Sequence, residues 1–176
     1  QKESDDFIST TDATGNTNGA MLFVNAGSAP GAAIYAQHVS ICPDRRFTFG
    51  MDVRNAMAGS GNPVNMTILL LREFGDDDQV LSSVQGANRL ATVETGNVAS
   101  GASEWHRIDE YIELTDKIGD FWVVVYNNGQ SGSGNDILID DITFSVCIPK
   151  VDMVVYNSAG DTLGNDVVSC QKDSLS

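Results

Sequence analysis

Apolar residues in this chain recur at every second position, and no stretch sustains a capped helical period for three turns. That pattern predicts an all-β chain. In the run RFTFGMDV, Phe47, Phe49, Met51 and Val53 fall on one face, and Arg46, Thr48, Gly50 and Asp52 fall on the other. A strand with one core face and one wet face has this alternation. Similar β-branched and aromatic runs, punctuated by Gly, Asn, Asp and Pro, predict strands over 20–25, 33–42, 46–55, 64–73, 104–114, 121–127 and 136–147, with one more between 79 and 93. Pro43 and Asp44 supply turn chemistry between two alternating runs, which predicts a hairpin there.

The segment FWVVVYNNGQSGSGNDILIDDITF predicts two strands joined by a long polar, glycine-rich loop. Counted at period two, Leu138, Ile142, Phe144 and Val146 share an inward face, and Asp140 falls on it. An ionised carboxylate there needs a cation, a cluster of hydrogen-bond donors, or water at the end of the sheet.

Composition narrows the function. The chain has 176 residues with 24 acidic against 10 basic side chains, a net charge of −14, which opposes binding to nucleic acid or to an anionic membrane. The same acidity supplies carboxylates for a hard cation such as calcium. No apolar run approaches the roughly 18–20 residues of a membrane-spanning helix. A start at Gln1 without an initiator Met reads as a processed or trimmed product. Cys42, Cys147 and Cys170 are widely spaced and contain no CxxC pair of the kind used for zinc or redox chemistry.

Nothing names catalytic players: there is no GxSxG, no HExxH and no phosphate-cradling glycine motif. The expectation is a chain that is not an enzyme. His38 and His106 read as satisfied, partly buried histidines, Trp105 and Trp122 as core residues, and the run Asp76, Asp77 and Asp78 as a solvated tip. Sugar binding needs aromatic faces and planar polar groups. Tyr35 and Tyr126 are the aromatics expected to be exposed, with Asn128 and Gln130 near the second, so these four form the expected ligand-binding set.

The order NGAMLFVNAG, GAAIYAQHVSICPDRRFTFGMDVRNA, NPVNMTILLL, SEWHRIDEYIEL and FWVVVYNNGQSGSGNDILIDDITF resembles the galactose-binding-like jelly rolls of carbohydrate-binding modules and of Bacteroidetes surface proteins. It covers about residues 5 to 149. The resemblance implies two facing antiparallel sheets and a structural calcium, with Asp140 of the Asp-Asp-Ile pattern and Asp12 of TTDATGNTNG among its ligands. Residue chemistry alone leaves open that Asp12 makes an Asx turn and that Asp140 accepts backbone hydrogen bonds. The family arrangement sets the strand after Pro43 beside the closing strand, which implies a disulfide between Cys42 and Cys147.

After Pro149 two further strands, with a turn over 157–160, resemble the opening of an immunoglobulin-like module, so the expected domains are 1–149 and 150–176. Taken together, the sequence predicts a jelly-roll β-sandwich that serves as a non-catalytic recognition or adhesion module of a secreted, multidomain cell-surface protein. Its expected partner is a glycan or another surface molecule. The alternatives are a structural spacer in a large adhesin or fibre, and an accessory carbohydrate-binding domain of a secreted glycoside hydrolase.

Overall fold

The computed structural model describes residues 7–26, 30–101, 104–130, 132 and 134–146, together with the backbone of two strands over 153–156 and 162–166. Among the described residues are eight strands: β1 (Leu22–Val24), β2 (Ala32–Asn55), β3 (Met66–Leu71), β4 (Arg89–Glu94), β5 (His106–Asn127), β6 (Ile137–Val146), β7 (Met153–Tyr156) and β8 (Thr162–Asp166). Between β3 and β4 lie two single 3₁₀ turns, Asp76–Asp78 and Leu81–Ser83. Strands β1 to β6 form one antiparallel sheet in the order β1-β6-β2-β5-β3-β4, and β7 pairs with β8 in a second sheet. The fold is an all-β sandwich of the jelly-roll kind, and β7 and β8 pair only with each other.

One hydrogen-bonded sheet becomes a sandwich because β2 and β5 bend. The second half of β2 pairs with β6 on one side and with the first half of β5 on the other, whereas Ala32–Ser40 pairs with the second half of β5, which pairs in turn with β3. The bend falls where the register shifts between Ser40, Asp44 and Arg46. The hairpin expected at Pro43 and Asp44 is therefore absent: both residues lie inside the continuous β2. A bulge accommodates Pro43, whose missing N–H would weaken a regular ladder. Across from it, Gly119 leaves room for the close approach, since a Cβ there would stand 2.4 Å from the carbonyl oxygen of Ile41.

The core lies between the two halves. Phe47, Phe49, Met51 and Val53 are fully buried, as the alternation predicts, and they pack with Met66, Ile68, Leu70, Phe121, Val123 and Val125. Phe47, Phe121 and Phe144 form an aromatic cluster with ring centroids 5.1–5.6 Å apart. A second apolar cluster covers the outer face of the β3–β5 half. There Leu69, Leu71, Val124 and Tyr126 are sealed by Phe74, Leu81 and Val84 from the 72–88 segment. That segment lies back over the sheet, held by backbone bonds from Ala33 N–H to the Gln79 carbonyl (2.8 Å) and from Leu81 N–H to the Gly31 carbonyl (2.7 Å).

The closing strand departs from simple alternation. Ile137 and Ile139 are in the core, as are Phe144 and, in part, Ile142 and Val146. Asp141, at φ 44°, occupies the left-handed region where an Asp is tolerated better than most side chains, and the β2–β6 register slips beside it. One extra residue reverses the parity of everything before it. Asp140 therefore pairs with Asp52 on the outer face and does not share the inward face with Ile142 and Phe144.

Candidate functional site

Asp12 and Asp140 are brought together, but on the outside of the β1–β6–β2 half. The N-terminal segment crosses that face: Ile8 N–H bonds the Ala56 carbonyl at 2.8 Å, and Arg54 Nη1 donates to Thr10 Oγ1 at 2.7 Å. Asp140 accepts the Ala13 N–H at Oδ2 (2.9 Å) and the Asp141 N–H at Oδ1 (2.8 Å). Asp12, only 7 % exposed, turns its Oδ1 back on its own loop, accepting Thr14 Oγ1–H (2.8 Å) and Asn16 N–H (2.7 Å). The Thr14 hydroxyl foremost, helped by backbone N–H groups, holds its carboxyl below the usual 3.8 against the opposing effect of burial.

The donor set at this junction is all oxygen, as a hard cation requires. The Oδ2 of Asp12 lies against Gly19, where a Cβ would stand 1.6 Å from it, so only glycine leaves that oxygen its place. Among the described residues no group of three or more His, Cys, Asp or Glu side chains forms a metal cluster. A calcium here would draw side-chain ligation from Asp12 and Asp140 and complete its shell with carbonyl oxygens.

The four expected ligand residues have different fates. Tyr126 is fully buried, contrary to expectation, and its hydroxyl donates to the Asp78 carbonyl at 2.7 Å. Burial first, and then the neighbouring Asp78 charge, push its pKa up to about 12. It cannot stack on a ligand because the 72–88 segment covers it. Tyr35 is half-buried at the margin of the main core, its hydroxyl hydrogen-bonded to Gln37 Oε1, and burial raises its pKa. Asn128 and Gln130 are exposed at one end of the sandwich. Asn128 N–H bonds the Asn65 carbonyl (2.8 Å), Asn135 Nδ2 donates to the Gln130 carbonyl (3.1 Å), and the buried Asn55 bridges the Asn62 and Gly134 carbonyls at 3.0 and 2.9 Å.

Cys42 is exposed, and its expected partner Cys147 lies outside the described residues. Trp122 is half-buried between His38 and Phe74, at centroid distances of 5.2 and 5.6 Å, and His38, exposed and not partly buried as expected, approaches Asp120 Oδ1 through its Nε2. Trp105 is half-buried, and its Nε1 has no hydrogen-bond partner.

Sequence reasoning missed a solvent-open cavity. The 72–88 segment encloses a cleft of about 730 Å³, with Arg72, Glu73, Asp77, Ser83, Gln85 and Asn88 in its walls. Asn88 braces it: its Nδ2 donates to the Glu73 carbonyl (2.8 Å) and to Asp78 Oδ2 (3.3 Å), while its Oδ1 accepts the Glu73 N–H (2.8 Å). Arg72, Glu73, Asp77, Ser83 and Gln85 are exposed, so donors and acceptors alternate around a solvent-open hollow. None of Tyr35, Tyr126, Asn128 or Gln130 lines it. The signal available beforehand was the density of Asp, Ser, Gln and Asn over 72–88, which reads equally well as a plain loop.

No family model matches the chain, and no curated protein matches it. Solved structures similar to it include the C-terminal domain of EclA, described as a sugar-binding protein, at a TM-score of 0.46 and 12 % identity over 73 % of this chain and 80 % of that one. A family 35 carbohydrate-binding module from an environmental isolate aligns at 0.38 and 14 %, over 84 % and 96 % of the two chains. An arabinose-bound family 51 α-L-arabinofuranosidase aligns at 0.40 and 14 %, over 67 % of this chain and 18 % of that one.

Proposed function

We propose that the chain is a non-catalytic recognition module that binds a glycan in the cleft of the 72–88 segment. The observation that carries this reading is the cleft itself: about 730 Å³, open, and walled by Arg72, Glu73, Asp77, Ser83 and Gln85. Sugar hydroxyls are at once donors and acceptors, and these walls offer both kinds of partner on a braced segment. Bracing matters because a preformed site spends less of its interaction energy on ordering itself. A glycan microarray probed with the labelled chain tests the reading, and retention of at least one glycan class is the expected result.

The wider reading follows the sequence resemblance: a secreted, cell-surface, multidomain protein of the Bacteroidetes kind, divided near residue 149, with a structural calcium at Asp12 and Asp140. A second reading, a spacer that assembles through its edges, draws support from β1. Leu22 and Phe23 are each 40 % exposed on this three-residue edge strand. Edge strands with uncovered apolar side chains invite pairing.

A further inference from the structure

We infer that the glycan held in the 72–88 cleft carries free amino groups, as a glucosamine-containing chain does, and that Glu73 and Asp77 receive the ammonium; this rests on the glycan reading above. The charge of the cleft points that way. Glu73, Asp77 and Asp78 stand in its walls, and Arg72 is the one cation there among the described residues, so the hollow is negative. The whole chain, at a net charge of −14, adds to that field and does not offset it. An acidic sugar is repelled, whereas a protonated amine is drawn in.

Local structure fixes the acids. The Asn88 side chain grips the Glu73 backbone at both its N–H and its carbonyl, at 2.8 Å each. Asp77 sits inside the 3₁₀ turn Asp76–Asp78, and Asp78 anchors that turn. The Asp78 N–H bonds the Gly75 carbonyl (3.0 Å), its carbonyl accepts the Tyr126 hydroxyl (2.7 Å), and its Oδ2 accepts Asn88 Nδ2 (3.3 Å). Asn88 therefore holds both acidic stretches at once. The Glu73 and Asp77 side chains are exposed and, among the described residues, make no ion pair. Asp52 and Asp109 show the contrast, since both are taken up by Arg107.

An inorganic cation is a poorer occupant. A hard ion draws roughly six to eight oxygens to one point, and among the described residues no three acidic, His or Cys side chains gather in that way. Carboxylates set apart around an open hollow suit ligand cations that are themselves set apart, one on each amino sugar. An ammonium brings three N–H donors, and a carboxylate accepts one of them in a charge-assisted bond.

The test is calorimetric titration of the whole chain, in mildly acidic buffer where the amines carry protons, with chitosan oligosaccharides and with the same oligosaccharides N-acetylated. Acetylation keeps the rings and linkages and removes the charge. The expected result is binding of the free-amine form about tenfold tighter than the acetylated form, weakened about three- to fivefold by either Glu73→Gln or Asp77→Asn and strengthened by Arg72→Gln. Glu110→Gln removes the same charge from an exposed position outside the cleft and should leave binding unchanged. Equal binding of the two forms overturns the ammonium subsite and leaves the glycan reading standing. A loss on Glu110→Gln as great as on the cleft substitutions also overturns the subsite, because the attraction is then the general field of an acidic protein. Binding of neither form, with other glycans retained on the microarray, overturns the subsite alone, and binding of no glycan in either experiment overturns both.

Discussion

The main-chain N–H of Ala13 donates to Oδ2 of Asp140 at 2.9 Å, across 127 positions of sequence. This bond ties a polar, apolar-poor segment to the closing strand, next to the loop that Asp12 organises. Replacing Asp140 with Ala removes the acceptor for two backbone N–H groups, at a cost of about 1–3 kcal/mol. Faster hydrogen exchange over residues 8–20 is expected, with the β3 and β5 amides unchanged. Equal exchange in both proteins would show that Asp140 does not hold the segment.

Calcium at the same junction makes a separate prediction. A ion bound only by the folded state stabilises it by about 2.7 kcal/mol at a hundredfold excess over Kd. Thermal melts should therefore rise with added calcium and fall with chelator, and the Asp140→Asn protein should respond to neither. Identical melts in all conditions would leave the N–H donors of Ala13 and Asp141 as the whole account of this carboxylate.

Gly119 tests the bend that makes a sandwich from one sheet. A Cβ at this position would stand 2.4 Å from the Ile41 carbonyl oxygen and 3.0 Å from the Pro43 nitrogen, both backbone atoms that cannot swing aside. Gly119→Ala should destabilise the fold by about 1–3 kcal/mol, the usual range for overpacking. Gly86→Ala, with open space around it, should cost far less in the same denaturant titration.

These two regions also show what could be read in advance. The face shared by Phe47, Phe49, Met51 and Val53 was legible because regular alternation encodes burial directly. The unbroken course of β2 was not, because Pro43 and Asp44 carry the same local chemistry whether a chain reverses or merely bulges. A count at period two puts Asp140 on the inward face because it runs through the bulge at Asp141, where a single extra residue inverts parity. The burial of Tyr126 is not legible in the sequence because its cover comes from Asp78 and its neighbours, a long-range contact that no local pattern announces. The cleft is not legible in the sequence because its walls gather only when the 72–88 segment lies back on the sheet.

Tyr126 predicts a late alkaline step. Burial raises its pKa from 10.0 to about 12, so the folded state holds this proton where the unfolded chain has lost it. The stability it contributes is complete below pH 10 and is lost as pH rises through about 12. Ultraviolet titration should show one tyrosine ionising near pH 12 in the native protein, a step absent from Tyr126→Phe. A normal titration of Tyr126 would contradict its burial.

Cys42 and Cys147 are expected to be joined by a disulfide. Val146, the last residue of β6, pairs with Phe47, five positions after Cys42, so the described part of the closing strand runs toward that cysteine's neighbourhood. Peptide mapping of the oxidised protein without reductant should recover a linked pair, and reduction should lower stability by about 3–5 kcal/mol in the chain-entropy model. Recovery of both cysteines as alkylated thiols would rule out the bond.

The central claim is that the 72–88 cleft recognises glycan. Electrophoresis through native gels containing soluble polysaccharides measures this directly, comparing the wild-type chain with an Asp77→Ala and Gln85→Ala double variant. Both altered side chains are exposed walls of the cleft, so folding should be unaffected. The account predicts that at least one polysaccharide retards the wild-type protein and that the double variant migrates through the same gel unretarded. Equal retardation of both proteins, or retardation of neither by any polysaccharide, would contradict it.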